Sequence, residues 1–128
     1  MRLLLDTHAL LWWLADDDRL GPRARDLIED PGNDVLISVV SLWEIVVKVR
    51  VGKLDASIED ILDAIEREGF TLLSIRGAHL LGLTDLPMHH RDPFDHLLTA
   101  QAIAEQATFV SEDQHACKYP VAHMTCRD

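Results

Sequence analysis

The chain has few cysteines and no long apolar run, and both deficits limit the class of protein to which it can belong. Its 128 residues include only two cysteines, Cys117 and Cys126, which do not form a C-x-x-C pair. They therefore provide neither the disulfide framework of a small secreted scaffold nor a thiolate metal site. No apolar stretch approaches the roughly 20 residues that a membrane-spanning helix needs. We expect a soluble protein of the reducing cytoplasm.

Positive charge is also scarce. Twelve Lys and Arg residues face 22 Asp and Glu residues, which gives a formal net charge of −10. Nucleic-acid binders neutralise phosphates with Lys and Arg, so this balance argues against that class unless the acids gather in a metal site. Local basic groups would then contact the nucleic acid, while the acidic surface would suit a basic protein partner. The candidate basic residues are Arg19, Arg23, Arg25, Lys48, Arg50, Lys53 and Arg91.

Short apolar runs alternate with helical patterns along the whole chain. There are no repeats or linkers, and 48% of the residues are hydrophobic, so we expect residues 1–128 to form a single domain. The runs are continuously apolar, which is typical of strands whose two faces are both covered by helices. The predicted strands are 3–5, 35–40, 71–75, 108–110 and 121–124.

The predicted helices have identifiable ends. Pro22 suits the first turn of a helix that ends near residue 30, Ser57 caps a second helix, and Asp92 with Pro93 opens a third. Alternating strands and helices imply a central parallel sheet of about five strands in a three-layer α/β/α domain. In such sheets the functional site lies at the carboxyl ends of the strands. Acids at the ends of strands are therefore the candidate site residues.

Two candidate acids come from the first half of the chain. Asp6 directly follows the first predicted strand, and its alternative role is to cap the next helix. Glu44 shares a helical stripe with apolar residues, where a charge is costly unless it is paired or binds a metal. Its alternatives are a capping box with Ser41 and an i, i+4 ion pair with Lys48.

Two further acids come from the second half. Asp95 is the third residue of the helix that Asp92 caps, and both carboxylates could serve only the helix start. A helix N-terminus nevertheless favours the ionised carboxylate that a hard cation needs. Asp113 follows the fourth predicted strand, and it could instead cap a short helix near residues 114–118. Glu112 beside it is interpreted as a solvated acid.

All four acids fall at the same edge of one predicted sheet. Carboxylates brought together repel and raise each other's pKa, so an unliganded cluster costs stability. A divalent cation resolves this repulsion, and it can also activate water and stabilise charge on phosphate oxygens. Asp and Glu ligands without His or Cys favour Mg²⁺ or Mn²⁺ over zinc.

Four segments together resemble the PIN domain of VapC toxins. They are L-L-D-T-H-A-L-L-W near the start, S-x-W-E-I in the middle, R-D-P-F-D-H-L-L-x-A-Q-A, and V-S-x-D, and they cover essentially the whole chain in order. The D-P-F-D-x-L-L-x-A-Q-A block is the most specific of them. The resemblance implies a PIN-like α/β fold and a metal-dependent endoribonuclease that arrests growth by cutting tRNA or ribosomal RNA.

The resemblance also assigns roles to residues and implies partners. The family's metal and catalytic acids match Asp6, Glu44, Asp95 and Asp113. The positions beside its site match Thr7, Ser41 and Ser111, and its helix-capping acid matches Asp92. The family implies an Mg²⁺ or Mn²⁺ cofactor, a homodimer, and a VapB-type antitoxin that blocks the active site and binds operator DNA. DNA contact would therefore be indirect.

Two places depart from the family pattern. After Asp113, relatives carry Pro and then Phe shortly before the tyrosine, whereas this chain has Gln114 to Lys118 before Tyr119. His96 also stands where Arg is commoner. Both departures concern local packing and RNA contacts more than the metal site.

Three other interpretations compete with the nuclease. A receiver-like signalling domain is also acidic, but it needs two acids after the first strand and a Lys after the last. A zinc hydrolase would use His89, His90, His96 and His115, yet no H-x-x-x-H pair is present. A catalytically inactive PIN module that only binds its partner is the third.

The tryptophans Trp12, Trp13 and Trp43 are interpreted as core or dimer-interface residues rather than as platforms for RNA bases.

Overall fold

The described part of the chain alternates between strands and helices. The structure is a computed structural model, and it describes residues 1–88, 92–112 and 116–128, except for the side chain of Cys117. The strands are β1 (Arg2–Leu5), β2 (Asp34–Ser38), β3 (Thr71–Leu73), β4 (Thr108–Ser111) and β5 (His123–Thr125). The helices are α1 (Thr7–Leu14), α2 (Pro22–Glu29), α3 (Val39–Arg50), α4 (Ile58–Arg67), α5 (Gly77–Thr84) and α6 (Pro93–Ala104), with a 3₁₀ turn at Ala116–Lys118.

The five strands form one parallel sheet in the order β3-β2-β1-β4-β5. In the centre of the sheet, Leu4 is in register with Leu36 on one side and with Phe109 on the other. The chain builds outward from β1 to β2 and β3, then crosses back to add β4 and β5. This reversal makes the carboxyl ends of β1 and β4 a topological switch point, where open α/β sheets bind ligands.

The strand order also tests one of the competing interpretations, the receiver-like signalling domain. Receiver domains have the order 2-1-3-4-5, whereas the order here is 3-2-1-4-5. The receiver interpretation is therefore wrong.

Helices cover both faces of the sheet. Leu3 and Leu5 of β1 point into a core with residues of α1, α2, α3 and α4, whereas Leu4 points into a second core with α6. All three leucines are fully buried. The predicted three-layer α/β/α fold is thus confirmed, and the absence of alternation in the strands follows from burial on both faces.

Several local features differ from the prediction. Strand β3 ends at Leu73 rather than at residue 75, and β5 covers His123–Thr125 rather than 121–124. The second strand ends at Ser38, whose hydroxyl accepts a hydrogen bond from the amide of Val40 (3.0 Å) and so caps α3. Ser41 consequently lies inside the helix and forms no capping box with Glu44. Helix α5 was not predicted, because its sequence contains Gly82 and has no polar stripe. None of the described helices is both long and apolar enough to cross a membrane.

Candidate metal centre

Asp6 lies at the switch point between β1 and β4. Its Oδ1 accepts a hydrogen bond from the amide of Ala9 (2.7 Å), which caps α1. Its Oδ2 accepts from the hydroxyl of Ser111 (3.0 Å) and from the amide of Glu112 (2.9 Å). The carboxylate therefore joins the end of β1 to the end of β4, and the hydroxyl of Ser111 lies beside it.

Burial governs the protonation of Asp6. The residue is only 2% exposed, and desolvation raises the pKa of its carboxyl above the ordinary value. The hydrogen bonds from Ala9, Glu112 and Ser111 and the nearby His8 act in the opposite direction but do not cancel the effect of burial. A bound cation would favour the ionised form that burial disfavours.

Glu44 reaches the same edge of the sheet from α3. Its carboxylate is 6% exposed, with Oε1 accepting from the hydroxyl of Thr7 (2.6 Å) and Oε2 lying 2.8 Å from the ammonium of Lys48. The i, i+4 ion pair considered from the sequence is thus present. Thr7 directly follows Asp6, so its hydrogen bond brings the first two candidate acids together.

Ser41 adds an unsatisfied hydroxyl to this region. It lies one helical turn before Glu44 and is fully buried. Its Oγ has no hydrogen-bond partner among residues 1–88, 92–112 and 116–128. A buried polar atom without a partner requires an explanation, and a bound water or ion is one of those available.

The start of α6 brings a third candidate acid beside α3. The carboxylate of Asp92 accepts hydrogen bonds from the amides of Phe94 (2.9 Å) and Asp95 (3.3 Å), which confirms Asp92 as the helix cap. The rings of Phe94 and Trp43 meet edge to face with centroids 4.8 Å apart. Glu44 directly follows Trp43, and Asp95 directly follows Phe94. The ring contact therefore joins the segment that carries Glu44 to the segment that carries Asp95.

The fourth candidate acid, Asp113, lies outside the described residues, as do Arg91, His89, His90, Gln114 and His115. Within the described ranges, no three His, Cys, Asp or Glu side chains lie close enough together to hold a metal ion. Asp6 and Glu44 are the candidate acids that the described contacts bring together. The assignment of Asp95 and Asp113 as ligands stays a prediction.

The donor atoms available at this edge are those that a hard cation prefers. They are carboxylate and hydroxyl oxygens from Asp6, Glu44 and Ser41. The thiol of Cys126 lies nearby, with Sγ 3.8 Å from Oδ1 of Asp6. Burial raises the pKa of this thiol well above its usual value. The carboxylate and hydroxyl oxygens fit a hard divalent cation better than zinc.

Cys126 was not identified as a site neighbour from the sequence. It follows β5, and only the pairing of β5 with β4 brings it beside Asp6. No local motif carries that information.

Glu112, interpreted from the sequence as solvated, is half-buried and forms an ion pair with Arg127 (2.7 Å).

The aromatic residues near the site mostly have packing roles. Trp12 is 7% exposed, and Trp13 packs on the ring of Phe70, so the prediction of core positions is confirmed for both. Trp43 differs because it is 55% exposed. The atypical His96 is buried, and its ring meets that of Tyr119 edge to face.

Comparisons with known proteins agree with this architecture. Residues 3–122 match the model of the PIN domain family. No curated protein matches the chain. Among solved structures, a chain of the VapBC2 complex from Rickettsia felis bound to promoter DNA superposes with a TM-score of 0.76 at 18% identity, over 98% of both chains.

Two further structures are similar. A chain of DNA-bound VapBC from Salmonella typhimurium has a TM-score of 0.67 at 12% identity over 98% of both chains. A toxin–antitoxin complex from Klebsiella pneumoniae gives 0.65 at 17% identity over 97% of both chains. At these identities the likeness shows a shared fold.

Proposed function

We propose that this chain, which belongs to the PIN domain family, is a metal-dependent endoribonuclease of the VapC type. One observation carries the proposal. Two acids distant in sequence, Asp6 and Glu44, are buried at the switch point of a parallel sheet and are joined through Thr7. Burial of a carboxylate costs free energy, and a divalent cation at this edge of the sheet would offset that cost beyond what the hydrogen bonds to Asp6 and the Lys48 ion pair to Glu44 provide.

The four acids Asp6, Glu44, Asp95 and Asp113 would hold Mg²⁺ or Mn²⁺. When bound, such an ion supplies Lewis acidity toward a phosphodiester and lowers the pKa of a water molecule. The protein's own contribution is to fix the oxygens in place. Thr7 orients the carboxylate of Glu44, and Ser111 with the amide of Glu112 orients that of Asp6. Ser41 supplies a further buried hydroxyl.

The biological role that we propose is that of the toxin in a toxin–antitoxin pair. The similar solved structures include VapBC complexes bound to DNA, which supports a VapB-type antitoxin as the partner. DNA would then be contacted through the antitoxin, and the substrate would be tRNA or ribosomal RNA in the cytoplasm. A homodimer is part of the same proposal.

Substitution of the site acids tests the catalytic proposal. We expect Asp6→Asn or Asp95→Asn to lower RNA cleavage by about 100-fold or more while leaving the circular dichroism spectrum unchanged. Asp63→Asn is the matched control, because Asp63 lies exposed on α4 and the same charge is removed. Full cleavage by the purified Asp6 variant would contradict the proposal.

An expression experiment tests the toxin role and the inactive alternative. We expect induced expression of the chain to arrest growth, and co-expression of the adjacent open reading frame to restore it. Arrest that persists with Asp6→Asn would favour a PIN module that acts only by binding. Growth unaffected by the wild-type chain would contradict the toxin role.

A further inference from the structure

A groove leads away from the candidate metal centre along α1 and α3. It encloses about 430 Å³, a size within the roughly 300–1,000 Å³ typical of ligand sites. Its lining includes Thr7, which hydrogen bonds to Glu44, and residues 53–55 after α3. The groove is therefore bounded both by a neighbour of the candidate metal centre and by the segment that follows α3.

The end of α3 places two lysines on the wall of this groove. Gly52 adopts a left-handed backbone (φ 77°), and its amide donates to the carbonyl of Val49 (3.1 Å). The amide of Lys53 then donates to the carbonyl of Lys48 (2.9 Å). This pair of hydrogen bonds is the Schellman motif, and it turns the chain back so that Lys53 lies beside the last turn of α3.

The motif normally brings two apolar side chains together at these positions. Here both positions are lysines, and both line the same groove. Lys48 is already paired with Glu44, so an anion in the groove would meet chiefly the charge of Lys53. A fold that only needed to end α3 would gain more from an apolar pair.

The other charges of the groove leave Lys53 available to a ligand. Arg19, which also lines the groove, is held by Asp17 (2.7 Å) and lies over the ring of Trp12. Lys48 is paired with Glu44. Lys53 is exposed and forms no ion pair with any residue in the described ranges. Asp55 also lines the groove, so the groove is not uniformly basic.

We infer that Lys53, beside the ion-paired Lys48, forms a phosphate subsite that holds the RNA strand next to the candidate metal centre. The inference rests on the proposed nuclease function and adds a specific anchor for its substrate. A chain with a net charge of −10 repels RNA at long range, so a strand near four acids needs cations placed locally. The RNA phosphate nearest the scissile one is the anion that the position of the groove favours.

Binding of a non-cleavable RNA tests the subsite without relying on catalysis. The probe is a fluorescently labelled, single-stranded 2′-O-methyl oligoribonucleotide, and its anisotropy is titrated with the full-length protein in EDTA at several salt concentrations. We expect Lys53→Met to weaken binding about fivefold, irrespective of RNA sequence. The slope of log K against log salt should fall by about 0.7, the value for one phosphate contact on a single strand.

Matched variants separate a specific contact from general charge. Arg67→Met removes the same charge from an exposed position on α4 outside the groove, and it should leave both the affinity and the slope unchanged. Lys53→Arg should restore most of the affinity. Unchanged binding by Lys53→Met, or an equal loss with Arg67→Met, would overturn the inference.

The outcomes distinguish this inference from the proposed function. Cleavage by the wild type together with unchanged probe binding by Lys53→Met would reject the subsite alone. Loss of probe binding by Lys53→Met in a protein that cleaves no RNA would support the subsite and reject the nuclease. If Lys53→Met keeps its RNA affinity but fails to bind the product of the adjacent reading frame, the groove is a protein site and the inference is wrong.

Discussion

At the scale of single residues, the carboxylate of Asp6 combines two opposing effects. Three hydrogen-bond donors point at it, which favours the charged form. Almost complete burial disfavours that form more strongly, and the pKa of Asp6 is raised. The folded chain without a cation therefore holds a carboxylate that it does not readily ionise.

This conflict predicts an unusual pH dependence. An unfolded Asp loses its proton near pH 4, whereas folded Asp6 keeps it to a higher pH. Between these two pKa values the folded state binds more protons, so the contribution of Asp6 to stability falls as the pH rises. We expect urea unfolding in EDTA to show wild type losing stability relative to Asp6→Asn as the pH rises from about 4 through that window.

Glu105 provides a control, because its effect on stability should change with pH in the opposite direction. A hydrogen bond from His79 lowers the pKa of the Glu105 carboxyl, which is largely buried. Its contribution is present above its ordinary pKa and is lost as the pH falls through the lowered value. Wild type should therefore lose stability relative to Glu105→Gln on acidification. Parallel pH profiles for wild type and Asp6→Asn would show that burial does not control Asp6.

The sequence predicted Asp6 as a site residue because an acid directly follows a buried run, and the structure places it at the switch point of the sheet. Only some of the residues around Asp6 could be predicted from the sequence. Ser111 and Thr7 entered through motif resemblance, whereas Cys126 lies beside Asp6 only because β5 pairs with β4. Contacts that depend on strand pairing leave no local signal in the sequence.

At the scale of elements, α3 is the helix on which the site depends most. It carries Glu44 and Lys48, begins at the cap Ser38 and ends at the left-handed Gly52. The β-branched pair Val39 and Val40 favours a strand, which explains why the sequence predicted a strand through residue 40. The hydroxyl of Ser38 overrides that preference by capping the helix.

Two glycines, one just after the end of α3 and one inside α5, give predictions of opposite sign for stability. Gly52→Ala forces an L side chain into the left-handed region, although no atom within 4 Å would clash with its Cβ. We expect a loss of about 1–2 kcal/mol in unfolding free energy. Gly82→Ala, inside α5 and equally uncrowded, should gain about 0.5–1 kcal/mol.

Chemical denaturation of both glycine variants measures these changes. Gly52→Asn serves as the control, because Asn tolerates the left-handed region and should lose less than Ala. Equal stability of Gly52→Ala and wild type would mean that the turn after α3 relaxes to another conformation. The placement of Lys53 would then no longer depend on Gly52.

At the scale of the whole molecule, a buried polar network ties the sheet to two helices. The side-chain oxygen of Gln101 in α6 accepts from the hydroxyl of Ser38, and its amide nitrogen lies 3.3 Å from the carbonyl of Ser74 and from Nδ1 of His79. Nε2 of His79 lies 2.9 Å from the carboxylate of Glu105. The network links the cap of α3 to α5 and to the far end of α6.

Removing the centre of this network should be costly. Gln101→Met keeps the length of the side chain but leaves the buried hydroxyl of Ser38 without its acceptor, and we expect a loss of about 2 kcal/mol. Gln106→Met is the matched control, because Gln106 is exposed and the same substitution should change stability little. Thermal and urea unfolding measure both. Similar losses for the two variants would show that Gln101 acts through its packing alone.

The binding of a divalent cation is the prediction that concerns the whole fold. A ligand that binds only the folded state stabilises it, and an ion at 100 times its dissociation constant adds about 2.7 kcal/mol. For a chain of this size, that corresponds to a rise in Tm of about 10 °C. The same ion should flatten the pH dependence of Asp6, because it favours the ionised carboxylate. Mg²⁺ or Mn²⁺ should therefore raise the Tm of wild type and of Asp63→Asn but not that of Asp6→Asn, since the buried carboxylate is what connects the ion to the stability of the sheet. A Tm that neither ion changes would contradict this.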